Sequence, residues 1–190
     1  MKKLILPLFF LLVIIQWAVP AGMIWKKEAI QRKGTDYKFR TEPVDPYDPF
    51  IGKYIVLRYK QPQVNILTKE LKNTDREVYV TFKKDKQGFA QPDKITDKIP
   101  EGSDYLKTSI TNMEEIKDST MIMISYPFTR FYMEESKAPE AEQVYGVMSR
   151  DSASKVYALV SIYNGDAAIK NVFVNDTAIT EMVKKRQQLK

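Results

Sequence analysis

The stretch that decides how the body of this chain folds is Val44-Asp45-Pro46-Tyr47-Asp48-Pro49-Phe50-Ile51-Gly52-Lys53-Tyr54-Ile55-Val56-Leu57-Arg58-Tyr59. Prolines and aspartates crowd residues 43–49, which predicts a rigid turn rather than a helix or a central strand. The residues that follow alternate between two faces, with Ile55, Leu57 and Tyr59 on one and Tyr54, Val56 and Arg58 on the other. Residues 52–60 therefore predict a central strand, and Gly52 permits a close approach at its start.

A long apolar segment comes earlier in the chain. Residues 4–25 contain no charged side chain, and as a helix they would extend about 33 Å, enough to cross the hydrocarbon core of a bilayer. Lysine pairs bracket this segment, and Trp25 suits the membrane interface. A cleaved signal peptide ending at Val19-Pro20-Ala21 is the alternative, but residues 23–25 continue the apolar run beyond that site. We therefore predict an uncleaved anchor over residues 1–27.

The orientation of this anchor follows less directly from the sequence. Basic residues flank both of its ends, and their distribution does not favour an N-in topology. We nonetheless expect the body to lie outside the cytoplasm, on the periplasmic face of the inner membrane. The reason is that an apolar N-terminal segment before a single folded domain usually acts as an export signal. The sequence thus predicts a single-pass membrane protein of the cell envelope, with the lipid bilayer as its first partner.

Two missing residue types exclude several chemistries. The chain has no cysteine and no histidine, which removes disulfides, thiolate nucleophiles, cysteine metal sites and histidine-based triads. The net charge of +6 is concentrated at the ends, because residues 1–27 hold four lysines and no acid and residues 184–190 hold four basic residues. The body between them carries a charge of −2, which argues against a nucleic-acid-binding surface. We expect no cofactor and no metal.

The body is predicted to be one mainly antiparallel β domain with two short helices, so the fold class is α+β behind one transmembrane helix. A stalk over residues 28–36 would join the anchor to this domain, residues 37–190. Strands are predicted at residues 37–41, 52–60, 76–84, 89–91, 106–111, 120–126, 130–134, 155–163 and 167–174. Helices are predicted at 139–150 and 179–188, the second capped by Thr177. A polar loop is predicted at 92–103 and a tight turn at Asn164-Gly165-Asp166.

Acidic residues are the first candidates for chemistry. Asp45 and Asp48 can bind a cation or form an acid–base pair, but carboxylates beside prolines more often accept backbone hydrogen bonds in a turn. An acidic cluster at the start of the first predicted helix can attract a hard cation, although the helix dipole also explains it; its members are Glu134, Glu135, Glu140 and Glu142. Arg130 can pair with this cluster. We assign no catalytic residue and no metal ligand.

The hydroxyl side chains leave two further alternatives open. The eleven tyrosines favour packing on half-buried strands, and a tyrosine-lined ligand groove is the alternative. Composition permits a serine–lysine dyad, since Ser109, Ser119, Ser125 and several lysines are present, but nothing in the sequence positions them.

The spacing of Gly52, Tyr54, Leu57 and Tyr59 is G-x-Y-x-x-L-x-Y, which resembles the signature of the GDYXXLXY family of bacterial membrane-anchored proteins. The lead-in at residues 41–46, with Asp45, and the block Arg130-Phe131-Tyr132-x-Glu134 extend this resemblance over residues 10–145. Lys53 stands where the family usually has aspartate, which argues against chemistry by that position here. The resemblance implies an uncharacterised role, a gene often beside one for a multi-pass membrane protein, and no known catalytic residue. The signature is therefore expected to be structural, with Arg130 and Glu134 as the weaker site candidates.

Three functions fit this sequence. The first is a non-catalytic accessory or interaction subunit of an integral-membrane partner. The second is a membrane-tethered hydrolase, loosely similar to signal peptidases, which would require a serine and a lysine within hydrogen-bond reach. The third is a ligand-binding envelope domain, which would require a concave apolar pocket among the tyrosines. We favour the first.

Overall fold

The computed structural model describes residues 2–43, 54–60, 63–67, 77–116 and 119–188. Its elements are α1 (Lys2–Lys33), β1 (Thr35–Glu42), β2 (Tyr54–Val56), β3 (Arg58–Tyr59), β4 (Gln63–Leu67), β5 (Glu77–Lys84), β6 (Ala90–Thr96), β7 (Tyr105–Ile116), β8 (Ser119–Ser125), β9 (Arg130–Tyr132), α2 (Ala138–Met148), β10 (Val156–Tyr163), β11 (Asp166–Val174), β12 (Thr177–Ala178) and α3 (Ile179–Gln188). All of the paired strands named here are antiparallel, which confirms the predicted α+β class with one N-terminal apolar helix.

The strands form two five-stranded sheets and one two-stranded sheet. The first sheet has the order β12-β11-β10-β1-β3 and the second has the order β4-β8-β7-β5-β6. The second sheet curls until its two edge strands contact each other, and it encloses a small core of its own: Val78, Val80, Ile95, Ile122 and Ile124. The main core lies between the first sheet, the second sheet and the two C-terminal helices.

Helix α1 is long and apolar enough to span a membrane. Its candidate span covers Pro7–Lys33 and contains an 18-residue window with a mean hydropathy of 2.1, no residue of which is buried. The helix continues without a break through the lysine pair at residues 26–27 and ends at Lys33, so β1 begins only two residues later. The predicted boundary between anchor and stalk therefore falls inside one continuous helix.

Several local predictions are confirmed because their signals are short-range. The hairpin of β10 and β11 closes at Asn164-Gly165, where φ angles of 50° and 86° give the left-handed geometry that asparagine and glycine accept most readily. Helix α2 begins one residue before the predicted start, with Pro139 in its first turn. Helix α3 begins at Ile179 as predicted, but Thr177 lies in β12 and pairs with Val174 rather than capping the helix directly.

Two predictions about strands are wrong. The loop expected at 92–103 begins later, because β6 extends to Thr96. Strand β6 is an edge strand and Pro92 lies where its register with β5 shifts, which is a position that tolerates a proline without a donor. The strand expected over residues 52–60 is not central. Within its described part it is divided at Leu57 into β2, which pairs with β9, and β3, which is the edge of the first sheet.

Candidate functional site at the base of the N-terminal helix

The end of α1 is fixed to the first sheet by a short buried contact. The Ser161 hydroxyl on β10 is fully buried and donates a hydrogen bond to the main-chain oxygen of Ile30 at 2.7 Å. Gly34 follows the helix, and its amide also donates to the Ile30 oxygen, at 3.0 Å. A side chain at Gly34 would collide with the backbone oxygens of Ile30 and Ile162, so only glycine allows the helix and the sheet to approach this closely. The helix and the body are thus joined rigidly.

A large cleft opens beside this joint. It has a volume of about 1160 Å³ and lies between the last turns of α1, the β10–β11 turn and the adjoining strands β5, β7 and β8. Its walls combine apolar side chains, such as Met23 and Ile30, with three lysines: Lys26, Lys27 and Lys107. We refer to this space as the large cleft.

Two of these lysines form ion pairs at the walls of the large cleft. Lys26 Nζ lies 2.9 Å from Asp166 Oδ2, which ties α1 to the β10–β11 turn. Lys107 Nζ lies 2.6 Å from Glu77 Oε1, and the hydrogen bond and charge of Glu77 raise the pKa of Lys107. Because a lysine that serves as a general base must lose its proton, this shift acts against catalysis by Lys107.

Serines also line the large cleft. Ser109 Oγ and Ser125 Oγ lie 3.2 Å apart, and the Thr108 hydroxyl donates a short hydrogen bond to the Ser125 main-chain oxygen. The structure therefore places Ser109 and Ser125 in one cleft with lysines, but it records no serine–lysine hydrogen bond among the described residues. A serine paired with another serine lacks the base that would activate it as a nucleophile.

A second, smaller space lies around the other side of Lys27, and we call it the basic groove. It has a volume of about 290 Å³ and is lined by Lys27 of α1, by residues 127–130 and Tyr132, and by residues 167–169 of β11. Arg130, one of its lining residues, also lies over the ring of Tyr54, with its guanidinium carbon 5.0 Å from the ring centroid. Lys27 and Arg130 thus line the same groove although they are about one hundred residues apart in the chain.

The two blocks that carry the family resemblance lie side by side in the fold. Strand β2 pairs with β9 so that Tyr54 faces Tyr132 and Ile55 faces Phe131. The Tyr54 and Tyr132 rings meet edge to face at 5.3 Å. Ile55 and Phe131 are buried, with 1% and 6% of their surfaces exposed. Each block supplies main-chain hydrogen-bond partners for the other, which explains why the chain carries both.

The remaining signature residues have structural surroundings. Leu57 is buried and its amide donates to the Thr129 main-chain oxygen at 2.8 Å. Tyr59 packs within a cluster of aromatic rings at centroid separations of 5.4–6.3 Å; its ring partners are Phe39, Tyr126 and Phe128. Asp45, Asp48, Gly52 and Lys53 lie outside the described residues. Where it is described, the signature supports packing of the body.

Among the described residues, no three carboxylates, those of the acidic cluster included, come close enough to share an ion. Glu134 instead pairs with Lys137 at 2.8 Å, three residues further on in the turn that precedes α2. The predicted pairing of Arg130 with this cluster is not observed among the described residues, because Arg130 contacts Tyr54. Of the two weaker candidates, Arg130 lies in a cleft, the basic groove.

Tyrosines also line two open clefts of about 460 and 360 Å³, both of which include Tyr59 and Tyr126. Burial raises the pKa of Tyr59, Tyr126 and Tyr145 above the usual value for tyrosine, and burial with the Asp176 contact raises the pKa of Tyr157 to about 12. These tyrosines are therefore neutral in the folded protein at all ordinary pH values.

These shifts predict alkaline unfolding. A phenol with a raised folded-state pKa stabilises the fold fully below pH 10, and the stabilisation is lost as the pH rises through the folded-state value. We expect the free energy of unfolding to fall between pH 10 and pH 12, by about 1.4 kcal/mol per pH unit for each buried tyrosine that titrates only when unfolded. Denaturant titrations at several pH values measure this slope. Tyr59→Phe should reduce it, whereas Tyr132→Phe, at a 61%-exposed position, should leave it unchanged.

The sequence model of one protein family, described as GDYXXLXY protein, matches residues 16–172 of the chain. The match extends beyond the resemblance seen in the sequence, because it includes β10 and most of β11, the strands to which α1 is joined. Neither a curated protein nor a solved structure matches the chain significantly.

Proposed function

Because the chain belongs to the GDYXXLXY family, we propose that it is a membrane-anchored, non-catalytic accessory subunit of an integral-membrane partner. Its body would lie on the extracytoplasmic side. The observation that carries this proposal is a polar position near the middle of α1. If α1 crossed the membrane alone, polar groups at this position would be unfavourably exposed to hydrocarbon.

This polar position is formed by Gln16 and Pro20. Gln16 lies about 2 Å from the midpoint of residues 4–25, at a rise of 1.5 Å per residue, so its carboxamide would lie near the centre of the bilayer. Pro20 has no N–H, and the main-chain oxygen of Gln16, four residues earlier, therefore lacks its usual helical donor. In hydrocarbon such groups require a partner, and neighbouring helices commonly supply it.

The rigid joint and the chemistry of the clefts support the same proposal. Since Ser161 and Gly34 fix α1 on the sheet, a partner that grips the helix in the membrane would also orient the body above it. The lysine of the Lys107–Glu77 pair is held in its charged form, which suits a binding surface better than a hydrolase.

The proposal is tested by crosslinking in intact membranes. A photoreactive residue replacing Leu12, on the same helical face as Gln16, should capture a specific membrane protein, and the same residue at Ile14, nearly opposite, should capture much less. Gln16→Leu should reduce capture from position 12 by about threefold to tenfold, the range of interhelical hydrogen bonds measured in membranes. Ile15→Leu is the matched control and should change nothing.

Three independent results would contradict the proposal. The first is recovery of the full chain alone as a stable monomer in mild detergent, with no crosslinked product from either position. The second is release of the chain from membranes by alkaline carbonate, which would contradict the anchoring itself. The third is protection of the body from protease added to cells whose outer layer has been opened and whose inner membrane is still closed. That result would place the body in the cytoplasm.

A further inference from the structure

We propose that the basic groove binds the phosphate of an anionic membrane phospholipid. The groove is lined by Lys27 on α1, by Thr129 just before β9, and by Arg130 and Tyr132, the first and last residues of β9. It offers two cations and a hydroxyl within about 290 Å³, which is a donor set that matches a phosphodiester. This inference rests on the proposed anchoring of α1 and is independent of any protein partner.

The position of Lys27 along α1 places the groove at the level of lipid headgroups. Lys27 is two residues beyond Trp25, the end of the uncharged run, so it lies about 3 Å further along the helix axis. The headgroup layer of a bilayer extends roughly 5–7 Å beyond the hydrocarbon on each side. Because Arg130 lines the same groove as Lys27, it is brought to the same layer. Tyr132, with 61% of its surface exposed, adds an aromatic side chain of the kind enriched there.

The charge balance distinguishes this groove from the large cleft. Lys27 lines both spaces, but the other two lysines of the large cleft, Lys26 and Lys107, are each neutralised by a carboxylate, Asp166 and Glu77. Within the part of the chain that the structure describes, no ion pair joins Lys27 or Arg130 to a carboxylate, and the Arg130 guanidinium lies over the face of a tyrosine ring. Two unneutralised cations at one depth favour a ligand that carries a full negative charge, hence an anionic phospholipid over a zwitterionic one.

The test uses the full chain, purified in mild detergent, and native mass spectrometry with phosphatidylglycerol or phosphatidylcholine added at equal concentrations. We expect the wild type to retain phosphatidylglycerol more strongly. Lys27→Gln and Arg130→Gln should each weaken that binding by about fivefold, which corresponds to about 1 kcal/mol for one basic residue at a lipid surface, and the double variant by more than tenfold. Glycerol phosphate, added as a soluble competitor at millimolar concentration, should displace little lipid.

The matched control is Lys84→Gln. Lys84 also lies over a tyrosine ring, that of Tyr37 at 5.4 Å, but it is seven residues and so about 23 Å along β5 from Glu77, and it lines neither the large cleft nor the basic groove. The Lys84→Gln variant should bind phosphatidylglycerol as strongly as the wild type does. Circular dichroism should show that all variants remain folded.

Equal lipid binding by the double variant and the wild type would overturn the proposal. Full displacement by glycerol phosphate would also overturn it, since the ligand would then be a soluble phosphate ester. If the double variant lost the crosslinked protein partner but bound lipid as the wild type does, the groove would instead be assigned to an acidic segment of that partner. The carbonate extraction described above reports separately on anchoring, so failure of lipid binding in a chain that resists extraction counts against this inference alone.

Discussion

Phe39→Ala is expected to lower the free energy of unfolding of the body by about 3–5 kcal/mol, the range for removing a buried aromatic ring from a core. Phe39 lies on β1 with 2% of its surface exposed. Its ring reaches rings from both sheets and from the segment between β8 and β9, with centroids 5.0–6.3 Å away: Tyr59, Phe82, Tyr126 and Phe128. Truncation would therefore open a cavity at the point where the two sheets meet.

For a chain of this length, such a loss corresponds to a decrease of about 10 °C in the melting temperature. Thermal unfolding followed by circular dichroism in mild detergent measures it. Phe39→Leu retains most of the volume and should cost less than about 1.5 kcal/mol. Tyr132→Ala removes a ring of similar size from an exposed site and should have a small effect. If Phe39→Ala and Tyr132→Ala had equal effects, the interface between the sheets would not be the core of the body.

The contrast between these residues shows what the sequence could predict. Alternation places Phe39 on a strand, and the Asn164-Gly165 turn predicts the β10–β11 hairpin, because both signals act over a few residues. The pairing of β1 with β10, more than one hundred residues later, has no local signal. For the same reason the division of the predicted central strand at Leu57 was missed: which strands accept its two halves is decided by distant segments.

The candidate site was less predictable than the fold. The block at residues 130–134 indicates Arg130, and the basic flank of the anchor includes Lys27, but nothing in the sequence indicates that the two residues line one groove. Their proximity depends on the continuation of α1 as a single helix and on its attachment to β10 through Ser161. Charge alone does not specify geometry: the sequence permits an ion pair between Arg130 and the acidic cluster, whereas in the structure Glu134 pairs with Lys137, three residues further on.

Gly34→Ala is the second change with a large expected effect, because it acts on the joint between helix and body. A Cβ there would lie 2.5 Å from the Ile30 oxygen and 2.8 Å from the Ile162 oxygen, and it would also collide with the Ser161 hydroxyl. Two of these three atoms are backbone and cannot move aside cheaply. We expect a loss of about 2–4 kcal/mol, the sum of an overpacking term and of the buried Ser161–Ile30 hydrogen bond.

The readout must separate damage at the joint from general unfolding. Besides the melting temperature, limited trypsin digestion should show faster cleavage after Arg32 and Lys33, since these residues would leave the sheet together with the end of α1. Gly146→Ala is the matched control: nothing lies within 4 Å of the added Cβ, and alanine in a helix should raise the stability by about 0.5–1 kcal/mol. Opposite signs for the two glycine substitutions would establish that the close approach at Gly34 holds the helix on the body. Similar small effects would mean that α1 and the body move independently, and a partner in the membrane could then no longer orient the body through the helix.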